Sequence, residues 1–225
     1  MSYVLRCRTL CPENRQLLFM VSYSQSVSFA CMNLTEGEIY HVFNRGNNRC
    51  VIFPRRQNFA YFIDGLRKYV VPYCDLLAWC LMPNHFHFLI HANTSSTPMI
   101  KDGGIDRQRF SQGIKQLLSS YAKGINKQEG RTGSLFQQKT KGIQVSGVDP
   151  HYPLTAFHYI HQNPLRAGLV DRLEEWEYSS LREYIGTSDV KLCNQELAIS
   201  LLDLKPGRFL EDACLAAEVS YTSEV

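Results

Sequence analysis

Hydrophobic and polar positions follow their clearest pattern between residues 75 and 91. Residues 75–81 are almost all apolar, as in a central strand covered on both faces. Residues 82–84 (Met-Pro-Asn) are typical of a tight turn, and residues 85–91 then alternate. Alternate side chains of a strand point to opposite faces. The two predicted faces consist of Phe86, Phe88 and Ile90, and of His85, His87, Leu89 and His91.

The same kind of pattern predicts further elements on either side of this strand pair. Apolar residues spaced three or four apart indicate amphipathic helices, and short apolar runs next to turn residues indicate strands. In chain order we predict a strand at 39–43, a helix at 57–71, the strand pair, a loop at 93–104, a helix at 106–126 and a short strand at 143–145. This order is typical of an α+β, ferredoxin-like sandwich, an antiparallel sheet with helices on one face or both.

A third helix is predicted to follow the last strand. It begins at Asp149 or Pro150 and ends near Gln162. Asn163 and Pro164 suit the N-cap and the first residue of another short helix. An asparagine side chain can accept hydrogen bonds from the free backbone N–H groups of the first turn, and proline has no N–H group that would need a partner there.

Composition is that of an ordinary globular protein without a membrane span. Of the 225 residues 44% are hydrophobic and 20% charged, and no run reaches the roughly 18 apolar residues that a membrane helix needs. The eight cysteines fit neither a paired zinc knuckle nor a disulfide scaffold. We therefore expect reduced thiols in a cytoplasmic protein.

Charge is distributed unevenly along the chain. Residues 101–142 contain nine Lys or Arg against three Asp or Glu, whereas residues 171–225 contain five against twelve. A basic middle suits an anionic partner such as nucleic acid. A solvated loop and helix face explains this charge equally well.

The histidines of the alternating strand suggest a metal site. His85 and His87 lie about 7 Å apart along a strand, so their imidazoles can converge on one divalent cation. A cation held by two side chains keeps open positions, an arrangement that suits catalysis rather than structure. A polar strand face turned to solvent is the alternative.

Five segments resemble the REP-associated tyrosine transposases, which are single-tyrosine transposases of the HUH class. They are IYHVFNRGN (39–47), LMPNHFHFL (81–89), GSLFQ (133–137), YIHQNPLRAGLV (159–170) and WEYSS (176–180). They occur in the order of the family and span residues 38 to about 187. We therefore interpret 33–187 as the transposase domain, 1–32 as a poorly ordered extension and 188–225 as an acidic C-terminal extension.

The resemblance implies a reaction and the residues that perform it. His85 and His87 hold Mg²⁺ or Mn²⁺, and an amide oxygen of Asn163 is the third ligand. Tyr159 attacks the scissile phosphate and retains the 5′ end as a phosphotyrosine. The free 3′ hydroxyl permits reversal, and thus strand transfer without an external energy source. Tyr121, on a helix in the basic segment, and Tyr152 are the rival nucleophiles.

The resemblance implies that the substrate is single-stranded DNA beside a hairpin, such as a palindromic repeat. Basic side chains are expected to contact its phosphates. The predicted DNA-binding residues are Arg45, Asn47, Lys123, Lys127, Arg131, Lys139 and Lys141. For Arg45 and Asn47 a role in fixing the turn explains the residues equally well. Related enzymes are monomers or dimers, so this protein could be a monomer or a homodimer.

Two other functions are consistent with the sequence. A domesticated descendant would bind DNA hairpins without cutting them. An unrelated metal-dependent hydrolase would use His85 and His87 but would not need Tyr159.

Overall fold

The structure is a computed structural model that describes residues 32–147 and 149–222, with side chains as far as residue 215. The predicted N-terminal extension as far as residue 31 lies outside the described residues. The strands are β1 (Ile39–Arg45), β2 (Asp75–Met82), β3 (His85–His91), β4 (Met99–Asp102), β5 (Ile105–Gln108) and β6 (Lys141–Gln144). The helices are α1 (Arg56–Tyr69), α2 (Arg109–Gln128), α3 (Tyr152–Arg166), α4 (Leu181–Tyr184), α5 (Gln195–Leu202) and α6 (Phe209–Thr222). Of the helices in these ranges, none is long and apolar enough to cross a membrane.

Four strands form the central sheet, in the order β2-β3-β1-β6, and all neighbours are antiparallel. β1 and β2 are parallel to each other with β3 between them, which is the split arrangement of a ferredoxin-like fold. Helices α1 and α2 pack together on one face of the sheet, and α3 packs on the other. The predicted α+β, ferredoxin-like class is confirmed, with helices on both faces.

Alternation along β3 determines which layer each side chain joins. The three apolar residues predicted to share a face all lie in the hydrophobic cluster built with α1 and α2. Leu89, from the opposite face, packs with Phe157 and Ile160 of α3. Because the phenylalanines point into the first cluster, His85 and His87 face the α3 side.

The segment predicted as a loop at 93–104 contains the first strand and the turn of a hairpin that extends to Gln108, so that prediction was wrong. β4 and β5 pair with each other and are joined by Gly103 and Gly104. Both glycines have positive φ, which is what a two-residue hairpin turn requires. The strands are four residues long and largely exposed, so they carry no apolar alternation. The following helix, α2, consequently begins at Arg109 rather than near 106.

Helix α3 continues through Pro164, contrary to the predicted break at Asn163. A proline removes one backbone donor and crowds the carbonyl four residues earlier. Here less than one turn follows the proline, and Ala167 N still donates to Asn163 O at 2.9 Å. Asn163 and Pro164 are also buried, so tertiary packing holds the turn. As a result Tyr159 and Asn163 lie one helical turn apart on the same side.

The acidic C-terminal segment packs behind α3. A buried carboxylate, Glu183, accepts from Trp79 Nε1 at 2.6 Å and from the backbone N–H groups of Leu192 and Cys193 at 2.8 and 3.0 Å. Leu202 of α5 joins the hydrophobic cluster under α3. Residues beyond 187 therefore contribute to the layer that supports α3.

Candidate active site

The two histidines predicted as metal ligands lie side by side on β3. Their ring centroids are 4.9 Å apart and the rings are perpendicular. Both lie close to the turn that joins β2 and β3, and His87 is buried, with 6% of its surface exposed. The strand can hold polar side chains there because its other face anchors it in the aromatic core.

Tyr159 of α3 lies directly against His87. Its ring centroid is 5.7 Å from that of His87, in an edge-on arrangement, and 6.1 Å from that of His41. Burial raises the pKa of the Tyr159 hydroxyl above its ordinary value of 10, and the charge of Arg166 acts in the opposite direction. The Arg166 guanidinium carbon is 5.9 Å from the Tyr159 ring centroid.

Asn163 connects the helix to the histidine pair. Its Nδ2 donates to the Tyr159 backbone carbonyl at 2.8 Å, which leaves the amide oxygen available. The Asn163 side chain also interacts with His85, where it opposes the effect of burial on the histidine pKa. The structure therefore brings together all four predicted catalytic and metal-binding residues, His85, His87, Tyr159 and Asn163.

Both histidines are neutral in this environment. Burial lowers the pKa of His85 to about 4 and that of His87 well below its ordinary value. His85 Nδ1 lies 2.6 Å from Asn84 Oδ1, a pure acceptor, so Nδ1 carries the proton and Nε2 keeps its lone pair. His87 Nε2 is buried, and no protein atom of the described residues forms a hydrogen bond with it.

These donors fit a divalent cation. Neutral imidazole nitrogens are metal ligands. A buried nitrogen without a hydrogen-bond partner among the described residues, such as His87 Nε2, is suited to bind a cation. Within residues 32–147 and 149–222 no group of three His, Cys, Asp or Glu is placed to hold a metal ion. A cation at this point would therefore depend on His85, His87 and the amide oxygen of Asn163, and would keep open positions for phosphate or water oxygens.

Three predicted DNA-binding residues lie at the end of β1, or in or beside the turn region that follows it. Arg45 pairs with His85 across β1 and β3, and its charge helps to lower the His85 pKa. Asn47 follows in the next turn, where its N–H donates to Leu135 O at 2.9 Å. Arg131 Nη1 lies 3.8 Å from Cys50 Sγ in the same turn region.

The β6 side of the sheet supplies the other nearby cations. Lys141 Nζ lies 5.7 Å from the centroid of the Phe43 ring, which in turn contacts His87. Lys139 is exposed just before β6.

Lys123 and Lys127 lie elsewhere. Both are exposed on α2, the helix that packs against the opposite face of the sheet, and they line an open groove with Tyr61. The structure does not bring them together with Tyr159. A single basic segment in the sequence thus divides into two separate surfaces in the fold.

The rival tyrosines are placed differently. Tyr121 is buried among α1 and α2 and donates its hydroxyl to Ile52 O at 2.6 Å. Tyr152 begins α3, half-buried, two turns before Tyr159. Neither ring has an aromatic contact with His85 or His87, within the described residues.

Sequence reasoning missed two residues of the site, His41 and Phe43. Both lie on β1 at alternate positions with Arg45, so all three face the α3 side. The strand register places Phe43 opposite His87. Alternation within 39–45 is the signal that could have found them, once β1 is known to be the neighbour of β3.

No family model matches the sequence, and no curated protein matches it. Among solved structures, that of a REP-associated tyrosine transposase bound to a REP hairpin is similar to this chain. The likeness covers 75% of this chain and 98% of the other, with a TM-score of 0.50 and 13% sequence identity. At that identity the likeness shows a shared fold.

Proposed function

We propose that this protein is a metal-dependent endonuclease and strand transferase for single-stranded DNA, with Tyr159 as the nucleophile. The observation that carries the proposal is the contact between Tyr159 and His87, which itself lies against His85. The Nε2 atom of His87 is buried and has no hydrogen-bond partner among the described residues. Transfer of a phosphodiester to tyrosine needs a nucleophilic phenol and stabilisation of the charge on the phosphate. Tyr159 is the phenol, and a cation held by the imidazoles and the Asn163 amide would supply the stabilisation.

The chain's residues divide the reaction between them. The Tyr159 oxygen forms a bond to phosphorus, the bond from phosphorus to the 3′ oxygen breaks, and the phenol proton is lost as the 3′ oxygen gains one. A divalent cation held by His85, His87 and Asn163 would stabilise the negative charge on the phosphate oxygens. Arg166 is close enough to Tyr159 to stabilise the developing phenolate. The reverse reaction with another 3′ hydroxyl joins a new strand.

Single-stranded DNA beside a hairpin is the proposed substrate. Support comes from the similar structure, whose protein binds a REP hairpin, and from the basic residues Arg45 and Lys141, which lie on the same face of the sheet as Tyr159. Arg131, which lies near Cys50 in the turn region after β1, is another proposed DNA contact. Lys139, Asn47 and the more distant Lys123 and Lys127 are further proposed DNA contacts. Mg²⁺ or Mn²⁺ is the proposed ion.

The test is covalent capture. The full-length protein is incubated with a degenerate pool of hairpin-bearing single strands and Mg²⁺ or Mn²⁺, and DNA that stays attached to denatured protein is sequenced. We expect adducts enriched in one sequence beside the hairpin. Specific binding without any adduct would instead support the hairpin-binding protein that does not cleave.

A further inference from the structure

Part of the sheet face next to Tyr159 is not covered by α3. This helix packs chiefly on β2 and β3, so β1 and β6 extend beyond it. Phe43 on β1 pairs with His87 on one side and with Lys141 on the other, and paired residues point to the same face. An aromatic side chain, a proposed metal ligand and a lysine thus form one row across three strands.

Phe43 is accessible, unlike its neighbours in the strand. Val42 and Asn44 point to the α1 and α2 layer and are fully or almost fully buried, whereas Phe43 is only half-buried. Lys141 is exposed and its Nζ lies 5.7 Å from the Phe43 ring centroid. Because the residue that lies over this ring face is itself exposed, the face borders solvent.

The ring also has a fixed position relative to the site. Its centroid lies 5.8 Å from that of His87 and 5.0 Å from that of His41, with interplanar angles of 32° and 34°. These contacts hold one side of the phenyl group against the imidazoles. A flat group on the accessible side would therefore be held beside the phosphate that Tyr159 attacks.

Positive charge lies on both sides of Phe43. Arg45, two residues along β1, and Lys141, on the neighbouring strand, are both exposed. Proteins that bind single-stranded nucleic acid combine this kind of cationic groove with aromatic rings on which bases stack. A purely structural role for Phe43, shielding His87, does not explain why the ring stays partly exposed near two cations.

We propose that Phe43 is a stacking platform for the base next to the attacked phosphate, and that Arg45 and Lys141 bind the phosphates on either side of that base. This inference rests on the proposed function, because it assumes that DNA passes Tyr159. It adds a base-binding subsite, and it assigns the α3-side face of β1 and β6, rather than the α2 groove, to the strand near the nucleophile.

The test separates contacts with bases from contacts with phosphates. Affinities for a hairpin with an oligothymidine flank and for the same hairpin with an abasic flank of equal length are measured by fluorescence anisotropy in the Tyr159→Phe protein, which the proposed function expects not to cleave. Loss of one base–aromatic stack lowers affinity about ten-fold. Phe43→Leu should weaken oligothymidine binding by that factor and leave abasic binding almost unchanged. Phe43→Tyr, which keeps an aromatic ring, should bind the oligothymidine about as tightly as the parent protein does.

Tyr61→Leu is the matched control, because Tyr61 is an exposed aromatic residue on α1, on the other side of the sheet. If the Phe43→Leu protein binds both oligonucleotides as tightly as the parent protein does, the proposed subsite is wrong. A parent protein that binds neither oligonucleotide would overturn the proposed function as well, so the two failures are distinguishable. A second measurement leaves Phe43 unchanged. Iodouracil placed in the oligothymidine should photocrosslink to this residue. Crosslinks found solely on the α1 and α2 face would contradict the proposal.

Discussion

His41 Nε2 lies 2.8 Å from His87 Nδ1, across the adjacent strands β1 and β3. The outer nitrogens of the pair, His41 Nδ1 and His87 Nε2, are buried and have no hydrogen-bond partner among the described residues. One proton lies between the two rings, so the tautomer of one ring determines that of the other. His87 presents a lone pair at Nε2 when its Nδ1–H donates to His41 Nε2.

The first prediction is that His41 positions His87 for metal binding. Partners that orient a ligand histidine typically change metal affinity 10- to 100-fold when removed, roughly what we expect for His41→Leu. His41→Gln keeps an acceptor and should lose much less. Mn²⁺ titration followed by electron paramagnetic resonance measures the affinity without any DNA. A His41→Leu protein with wild-type Mn²⁺ affinity would show that His87 does not need this partner.

The second prediction concerns the proposed ligands. His85→Ala and His87→Ala should each abolish adduct formation while keeping most of the affinity for single-stranded DNA, because phosphate contacts from Arg45 and Lys141 do not involve the imidazoles. Anisotropy and denaturing gels on the same samples measure binding and adduct. His91→Ala is the control, since His91 ends β3 beside Asp75, away from Tyr159. Undiminished adduct in His87→Ala would remove this residue from the site.

The histidine face was predictable from the sequence because strand alternation is a local property. His85 and His87 needed only the intervening phenylalanine to be assigned to one side. His41 was not predictable in the same way. The contact between His41 and His87 depends on the register between β1 and β3, and these two residues are 46 positions apart in the sequence. A single sequence contains no direct record of that register.

The remaining discrepancies also have physical causes. Pro164 looked like the start of a new helix, but burial of its turn outweighs the lost backbone hydrogen bond. Lys123 and Lys141 belong to one basic stretch of sequence, yet the sheet lies between the surfaces they occupy. Counting charges along the sequence cannot show that these lysines lie on different faces of the sheet.

The third prediction uses that separation. Reversing charge at Arg45 and Lys141 should flatten the dependence of single-strand affinity on salt by about 0.7 in log–log slope for each lost phosphate contact. Reversing Lys123 and Lys127 together removes the same formal charge from the α2 groove and should change the slope less. Anisotropy titrations at several salt concentrations provide the slopes. A larger change from the Lys123 and Lys127 pair would place the strand in the α2 groove instead.

The fourth prediction is that buried histidines limit stability in acid. Burial lowers the pKa of His161 on α3 to about 3, and its Nε2 lies 2.7 Å from Ser180 Oγ. An unfolded chain binds a proton near pH 6.5 that the folded chain rejects. Protonation of the unfolded chain therefore lowers the free energy of unfolding as pH falls from about 7 toward the folded pKa, by about 2 kcal/mol at pH about 5.

His161→Gln should reduce the difference in unfolding free energy between about pH 7 and pH 5 by roughly that amount. Urea unfolding at the two pH values measures it. His151→Gln, at an exposed position just before α3, controls for the loss of an imidazole. An identical pH difference in wild type and His161→Gln would mean that His161 is not held neutral.

The nucleophile is the central claim, and mapping the covalent adduct tests it most directly. The wild-type protein, Tyr159→Phe, Tyr121→Phe and Tyr152→Phe are each incubated with the hairpin-bearing pool and Mn²⁺, and the DNA-linked peptide is identified by mass spectrometry. We predict that the DNA is attached to Tyr159 in the wild type, Tyr121→Phe and Tyr152→Phe proteins, and that Tyr159→Phe binds DNA but forms no adduct. A Tyr159→Phe protein that still becomes covalently attached to DNA would contradict the account.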